Sequence, residues 1–141
     1  MRFASLGSGS RGNATLVESG ATLVLVDCGF SCRETERRLA RLGRTPDQLA
    51  ALLVTHEHGD HVRGVPPLAR KYGLPVWLTR GTWGMLRDTD LPVVRYFDGH
   101  SSMEIGDLYS NLDASARTAL ESYVSGGGAI VQANFFSSNV S

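Results

Sequence analysis

The feature that most constrains this 141-residue chain is the run His56-Glu57-His58-Gly59-Asp60-His61. It holds three of the four histidines in the chain and is separated by Thr55 alone from the apolar residues 52–54. Neutral imidazole rings and a carboxylate are ligands that suit zinc, manganese or iron. On a helix, positions 56, 58 and 61 would point in different directions, whereas a loop that leaves a strand lets them converge. The sequence therefore predicts a metal-binding loop at the end of a buried strand.

The spacing within this run suits two metal ions. His56 and His58 can reach one ion together, and Asp60 and His61 can reach a second ion close by. Two such ions can share a water, lower its pKa and so provide a nucleophile at neutral pH. Gly59 carries no side chain where the loop turns sharply. The alternative is a polar surface loop that happens to be rich in histidine, but four ligand-type residues at this spacing favour the metal site.

Apolar runs and helical spacings alternate along the first hundred or so residues and predict an α/β fold, with helices packed on a mixed sheet. Strands are expected at residues 3–6, 14–18, 22–26, 52–54, 75–78 and 93–97. Helices are expected at residues 32–42, 65–72 and 81–87. A short helical turn should open with Thr45 as its N-cap and Pro46 at its first position. In the first helix, Leu39 and Leu42 are expected to share the apolar face.

Residues 7–13, Gly-Ser-Gly-Ser-Arg-Gly-Asn, predict a turn between the first two strands. One interpretation is a phosphate cradle, because the backbone amides of such a turn are exposed. The favoured interpretation is a structural one, in which the turn shapes an early hairpin beside the metal loop. Ser8 and Ser10 then lie near enough to approach a substrate, but the sequence assigns them no role.

Composition narrows the function classes and the setting. Lys plus Arg equals Asp plus Glu at 14 each, so no basic surface for nucleic acid extends over the whole chain, although a local basic patch stays possible.

Cys28 and Cys32 flank one short turn, and a zinc site is disfavoured there because a second cysteine pair is absent. No secretory signal and no membrane-length apolar run is present, so we expect a reducing, cytoplasmic setting and no membrane partner.

These residues resemble the metallo-β-lactamase superfamily. Residues 55–61 match its T-H-x-H-x-D-H motif, and Val26-Asp27-Cys28-Gly29 resembles its first motif. The opening residues 6–15, Leu-Gly-Ser-Gly-Ser-Arg-Gly-Asn-Ala-Thr, are closest to its YycJ/WalJ-like branch of cytoplasmic exonucleases. The resemblance covers residues 1 to about 107, and it implies the N-terminal half of an αββα fold.

The resemblance also implies roles for individual residues. His56 and His58 would bind the first of two divalent ions, zinc or manganese, and Asp60 and His61 would bind the second. Asp60 would also orient the attacking water, so that Asp60 and His58 are the catalytic candidates. Asp27 would support the geometry of the metal loop from behind. The implied reaction is hydrolysis of phosphodiester bonds, with DNA as the partner.

Two other functions stay open. One is hydrolysis of a thioester, lactam or lactone within the same superfamily. The other is a non-catalytic fragment that binds a metal or a partner without turnover. Five basic residues are candidates for phosphate contacts near the metal loop: Arg11, Arg63, Arg70, Lys71 and Arg80.

Residues 108–141 depart from the family pattern. The complete site would need a further His, a bridging Asp and a last His, yet no His follows residue 107. His100 is expected to be a turn residue, and Asp113 is expected to cap a helix at residues 112–124 that precedes a strand at 129–132. We therefore expect a truncated domain with a tail from a frameshift or fusion. An uncovered sheet face would then favour self-association.

Overall fold

The computed structural model describes residues 2–86 and 90–96, which form a six-stranded sheet with helices packed against it. The strands are β1 (Arg2–Gly7), β2 (Ala14–Ser19), β3 (Thr22–Val26), β4 (Leu49–Leu53), β5 (Pro75–Leu78) and β6 (Val93–Tyr96). The helices are α1 (Cys32–Arg41), α2 (Gly59–Val62), α3 (Val65–Tyr72) and α4 (Arg80–Met85), with a 3₁₀ helix at Pro46–Gln48. The predicted α/β class with a mixed sheet is confirmed.

The order of the strands in the sheet follows their order in the chain. β1, β2 and β3 are antiparallel to one another, whereas β3, β4, β5 and β6 run parallel. Parallel strands end at the same edge of a sheet, and Val26 of β3 is the register partner of Leu53 of β4. The residues that follow these two strands, Asp27 and Thr55, are thereby brought to one edge of the sheet.

Alternate residues of the strands form an apolar row that packs under the helices. Leu16 pairs with Leu25, Leu25 with Leu52, and Leu52 with Val76. These four side chains are at most 3% exposed and share one core with Leu39 of α1 and Leu68 of α3. Truncating a buried leucine of this kind costs about 2–5 kcal/mol, so this row fixes the sheet against α1 and α3.

The opposite face of the inner strands is also buried. Its residues are 1–4% exposed: Val17, Val24, Ala51, Leu53 and Trp77. Exposure on this face occurs at the edge strand β1, where Phe3 is 65% exposed. The uncovered face that we expected is therefore not found on the inner strands, and self-association stays a prediction.

Helix α1 begins and ends as the local sequence dictates. The hydroxyl of Ser31 accepts a hydrogen bond from the Glu34 amide at 3.2 Å, and Gly43 takes a left-handed φ of 67° just beyond the helix. The prediction that Leu42 shares the apolar face of α1 was wrong, because Leu42 is the C-cap and is 44% exposed. Thr35 is buried on the helix face beside Leu39 instead.

Other boundaries differ from the expectation in small ways. β4 begins at Leu49 and ends at Leu53, because the backbone of Leu49 already pairs with Leu23. The turn after Thr45 is a 3₁₀ helix, with Thr45 as its N-cap as predicted. α4 begins at Arg80, one residue early, because the Thr79 hydroxyl caps it by accepting a 3.0 Å hydrogen bond from the Thr82 amide.

Several sequence predictions lie outside the described residues. They are the end of the strand expected at residue 97, the helix at 112–124, the strand at 129–132, the roles of His100 and Asp113, and the domain boundary after residue 107. The helix expected to end at residue 87 ends at Met85 instead, because the backbone of Leu86 is extended.

The described helices are short. The longest of them, α1, has 10 residues, whereas a membrane-spanning helix needs about 20. In residues 2–86 and 90–96, no helix has the length and hydrophobicity to cross a membrane.

Gly64, which joins α2 to α3, should not tolerate a side chain. A Cβ there would lie 2.0 Å from the Phe30 carbonyl oxygen and 2.7 Å from Cys28 Sγ. We expect Gly64→Ala to lower the free energy of unfolding by about 3 kcal/mol, at the upper end of the usual cost of overpacking. Urea unfolding followed by circular dichroism measures this change.

Gly84→Ala is the matched control. A Cβ at Gly84 in α4 meets nothing within 4 Å, and alanine favours a helix over glycine by about 1 kcal/mol. Equal effects of the two substitutions would contradict the close packing at Gly64.

Candidate metal centre

Asp27 is the buried centre of the candidate site. It directly follows β3, is 2% exposed and has a φ of 60°, the one positive φ of a non-glycine residue in the described part of the chain. Its amide donates to the carbonyl of Leu53 at 2.7 Å. Left-handed backbone costs on the order of 1 kcal/mol in a non-glycine residue, and here it accompanies a carboxylate aimed at the end of β4.

The carboxylate of Asp27 orients two residues of the histidine motif. Its Oδ1 accepts a hydrogen bond from the Thr55 amide at 2.8 Å, and its Oδ2 accepts one from the Thr55 hydroxyl at 2.8 Å. The same Oδ2 lies 2.7 Å from His61 Nδ1. Because an ionised carboxylate can only accept, Nδ1 of His61 carries the proton and Nε2 keeps its lone pair for a cation.

The same reasoning shows which ring nitrogen of His56 carries the proton. The single hydroxyl hydrogen of Thr55 is donated to Asp27, so Thr55 Oγ1 accepts from His56 Nδ1 at 2.9 Å. Nε2 of His56 is therefore the unprotonated nitrogen. Burial lowers the pKa of His56, and the neighbouring His61 lowers it further. Both effects favour the neutral ring, which is the form that binds a metal.

The three imidazole rings lie together at the edge of the sheet. The centroid of the His56 ring is 3.9 Å from that of His61 and 4.7 Å from that of His58. His56 and His61 are half-buried, and His58 is exposed. The motif is thus brought together by the fold, as its spacing predicted.

The prediction that the whole motif is a loop was only partly right. His58 is the N-cap of α2, and Asp60 and His61 lie within this single helical turn. The amides of His61 and Val62 donate to the His58 carbonyl at 2.8 and 3.1 Å. Convergence therefore comes from an extended segment followed by one turn of helix.

Asp60 and His61 have ligand-type atoms close to each other. Asp60 Oδ2 lies 3.6 Å from His61 Nε2. Two ligand atoms about 2.1 Å from a tetrahedral ion are separated by roughly 3.4 Å, which is near the observed distance, and the assignment of this pair to one ion stays a prediction. In residues 2–86 and 90–96, however, no group of three or more His, Cys, Asp or Glu side chains is arranged to hold a metal as it stands. The donor chemistry fits a divalent ion, and full coordination requires the side chains to converge further.

The glycine-rich turn at residues 7–13 docks against this motif through Asn13. Gly9 exchanges two hydrogen bonds with the Asn13 amide group, at 2.9 and 3.0 Å, and Asn13 Nδ2 lies 3.0 Å from Asp60 Oδ2. The amides of Gly9 and Gly12 donate within the turn itself. These contacts support the structural interpretation of the turn over the phosphate cradle. Ser8 and Ser10 are exposed on it.

Gly29 lets three backbone segments meet behind the motif. A Cβ at Gly29 would lie 1.7 Å from the Asp60 carbonyl oxygen and 2.8 Å from the Asn13 amide nitrogen. The Cys28 amide donates to the His61 carbonyl at 2.8 Å in the same place. The Val-Asp-Cys-Gly segment therefore requires glycine for close packing.

Neither cysteine is a free thiolate available to a metal. Cys28 Sγ is buried 3.3 Å from Thr35 Oγ1, and burial raises the pKa of the Cys28 thiol to about 11. Cys32 Sγ donates to Glu36 at 3.3 Å. The rejection of a cysteine zinc site stays a prediction from the sequence.

Three of the five basic candidates for phosphate contacts have partners away from the motif. Lys71 Nζ bonds to Glu36 at 2.7 Å, Arg70 donates to the Asp90 carbonyl at 3.0 Å, and Arg80 lies over the Tyr96 ring at 4.5 Å. Arg11 and Arg63 are exposed, the first on the glycine-rich turn and the second at the end of α2. The candidate set therefore narrows to these two.

Two residues of the site had received no role from the sequence. Thr55 was part of the motif, but the way its hydroxyl links Asp27 to His56 depends on contacts between β3 and β4. Asn13 ended the glycine-rich segment, and its position 47 residues before Asp60 concealed the contact. The signal for both was their place in a recognisable motif.

Comparison with known proteins decides the family. The family model of the metallo-beta-lactamase superfamily matches residues 7–125. The chain belongs to this superfamily. The resemblance inferred from the sequence is thereby confirmed, and the match extends beyond residue 107, where the resemblance was expected to end.

The relatives include two bacterial DNA nucleases. The chain is 40% identical over 88 residues to the exodeoxyribonuclease WalJ of Streptococcus pneumoniae serotype 2, a match that covers 62% of this chain and 33% of that protein. It is 40% identical over 86 residues to the exodeoxyribonuclease YycJ of Bacillus anthracis, covering 61% of this chain and 33% of that one. The chain thus spans about a third of the length of these curated relatives.

The fold has solved counterparts as well. A B3 metallo-beta-lactamase with an active-site glutamic acid matches with a TM-score of 0.56 at 25% identity. This match covers 70% of the present chain and 44% of that chain.

Asp27→Asn tests how the carboxylate controls His61. An amide at this position has one oxygen for the Thr55 amide but presents an NH₂ group towards His61 Nδ1. We expect the proton of His61 to move to Nε2, which removes a metal ligand, and the dissociation constant for zinc to rise about 10- to 100-fold. Isothermal titration calorimetry measures the constant. Asp47→Asn, an exposed site on the 3₁₀ helix, is the matched control, and equal constants in both variants would refute this role.

Proposed function

We propose that this chain is a hydrolase of the metallo-beta-lactamase superfamily that depends on divalent metal and cleaves phosphodiester bonds of DNA in the manner of an exonuclease. The observation that carries the metal chemistry is the Asp27–His61 hydrogen bond of 2.7 Å, which leaves Nε2 of His61 facing Asp60. The similarity to WalJ and YycJ, both exodeoxyribonucleases, supports the substrate class.

The residues that would hold the ions are the four ligands predicted from the sequence. His56 and His58 would hold the first ion, and Asp60 and His61 the second. Imidazole nitrogens and a single carboxylate suit zinc or manganese. When bound, such ions would lower the pKa of an attacking water and offset negative charge on the phosphoryl oxygens.

The protein's own groups then have separate tasks. Asp27 keeps the ring of His61 fixed and its Nε2 unprotonated, and Thr55 does the same for His56. The side chain of Asp60 is 29% exposed, so its carboxylate is accessible to solvent and can orient an attacking water by accepting its hydrogen. His58, exposed at the N-terminus of α2, is the ligand nearest to the solvent side of the site.

The DNA backbone would be held by positive charge near the motif. Arg63 follows α2 directly, and Arg11 is exposed on the turn that Asn13 anchors to Asp60. Contacts of arginine to phosphate position a strand without reading its sequence. The chain has no net charge, so the attraction would be local to this edge of the sheet.

The test is cleavage of end-labelled single-stranded and double-stranded DNA with manganese or zinc, with and without a chelator. We expect stepwise loss of terminal nucleotides that the chelator abolishes. Loss of a hydrogen bond that supports a metal ligand lowers activity about 10- to 100-fold. His58→Ala and Asp60→Ala should lower the rate of cleavage by more than this, because each removes a ligand itself. Asp47→Asn should cleave at the rate of the unaltered chain.

Parallel assays separate the remaining functions. Turnover of a thioester, lactam or lactone, with no cleavage of DNA, would replace the proposal with the other hydrolase chemistry of the superfamily. Metal bound in near-stoichiometric amount by elemental analysis, with no turnover of any substrate, would favour a non-catalytic binding module. Loss of DNA binding only in Arg11→Ala and Arg63→Ala would assign phosphate contacts to these residues.

A further inference from the structure

We infer that Asn13 is a positioning residue that holds Asp60 Oδ2 and His61 Nε2 at the spacing of metal ligands. This inference rests on the proposed metal site. Asn13 Nδ2 lies 3.0 Å from Asp60 Oδ2 and 3.2 Å from His61 Nε2, while these two atoms are 3.6 Å apart. The amide therefore bridges the same two atoms that would share an ion.

The orientation of the Asn13 amide is fixed from the turn. The Gly9 amide donates to Asn13 Oδ1 at 2.9 Å, and Asn13 Nδ2 donates to the Gly9 carbonyl at 3.0 Å. A flipped amide would place two donors and two acceptors face to face at Gly9, so the NH₂ group must point towards the motif. Its second hydrogen is then available to Asp60 and His61.

A hydrogen-bond donor between Asp60 Oδ2 and His61 Nε2 stabilises their positions. Asp60 Oδ2 is a carboxylate oxygen, and His61 Nε2 presents a lone pair because Asp27 holds the proton on Nδ1. Two acceptors that face each other repel, and rotation of either side chain would relieve the repulsion. The N–H of Asn13 places positive partial charge between them and keeps both pointing to one place. An arriving ion takes the place of this N–H at Nε2, whose single lone pair serves one partner at a time, and finds both ligand atoms already oriented.

The backbone of Asn13 is anchored separately from its side chain. Its amide donates to the Asp60 carbonyl at 2.7 Å, and its carbonyl accepts from the Gly29 amide at 2.9 Å. These bonds survive replacement of the side chain. A change in metal affinity in such a variant therefore reports on the carboxamide and its bonds to Gly9, while the backbone of residue 13 stays docked.

The first test is zinc binding to Asn13→Ala by calorimetry, with Ser10→Ala on the same exposed turn as the control. We expect the dissociation constant to rise about 10- to 100-fold in Asn13→Ala, the usual effect of losing a group that orients a ligand, and to stay unchanged in Ser10→Ala. Circular dichroism establishes that both variants are folded. A folded Asn13→Ala that binds zinc as tightly as the unaltered chain would overturn the inference.

The second test needs no variant and no metal. In the ¹⁵N-labelled chain at about pH 8, above the ordinary titration of histidine, NMR should show His61 protonated at Nδ1, with Nε2 accepting a hydrogen bond from the Asn13 side chain. In Asn13→Ala the Nε2 resonance should shift towards that of an unbonded nitrogen, while the Nδ1 proton remains. A proton on Nε2 in the unaltered chain would place two donors face to face and would refute the inference.

The two tests separate this inference from the proposed function. If the unaltered chain binds no zinc but shows the hydrogen bond at Nε2, the metal site fails and the arrangement around Asn13 stands. If zinc binds and the hydrogen bond is absent, the metal site stands and the role of Asn13 fails.

Discussion

The arrangement of this site depends on one buried carboxylate. Asp27 accepts hydrogen bonds from the amide and hydroxyl of Thr55 and from the ring of His61, and so joins the end of β3 to the end of β4 and to α2. A buried carboxylate is costly unless it is fully bonded, so the three donors are as necessary to Asp27 as Asp27 is to them. The parallel pairing of β3 and β4 makes this possible, because it brings both strand ends to one edge.

Much of this fold was predictable because its inner strands are buried on both faces. All five residues of β3 are buried, so the strand is a continuous apolar run with clear limits, and its predicted bounds match the structure. β4 was harder, because the exposed Ala50 separates the buried Leu49 from the rest of the strand. Leu42 was misassigned for a related reason: helical spacing places it on the apolar face, but the helix ends one residue before it.

The grouping of the histidines and Asp60 was predictable from the sequence, whereas the hydrogen bonds that support them were less so. The histidines and Asp60 lie within six residues and follow a buried strand, so local sequence was enough to bring them together. Asn13 and Thr55 act through hydrogen bonds to residues distant in the chain. Such hydrogen bonds produce no periodic pattern in the sequence from which they could be predicted. The basic residues show the same limit, since the contact of Lys71 with Glu36 depends on the packing of α3 against α1.

The close approach of Gly29 and Gly64 to their neighbours has a consequence for how the chain acquires its shape. In the described part of the chain, the contacts that orient His61 come from residues 9 to 64, and the two glycines let these segments pack closely. Ribosomes make chains from the N-terminus at about 5–20 residues per second. The residues that supply the contacts around His61 are therefore all synthesised before those of β5 and β6. A nascent chain can thus acquire its histidine cluster early, and capture of an ion at that stage would favour the pairing of β3 with β4 over competing arrangements.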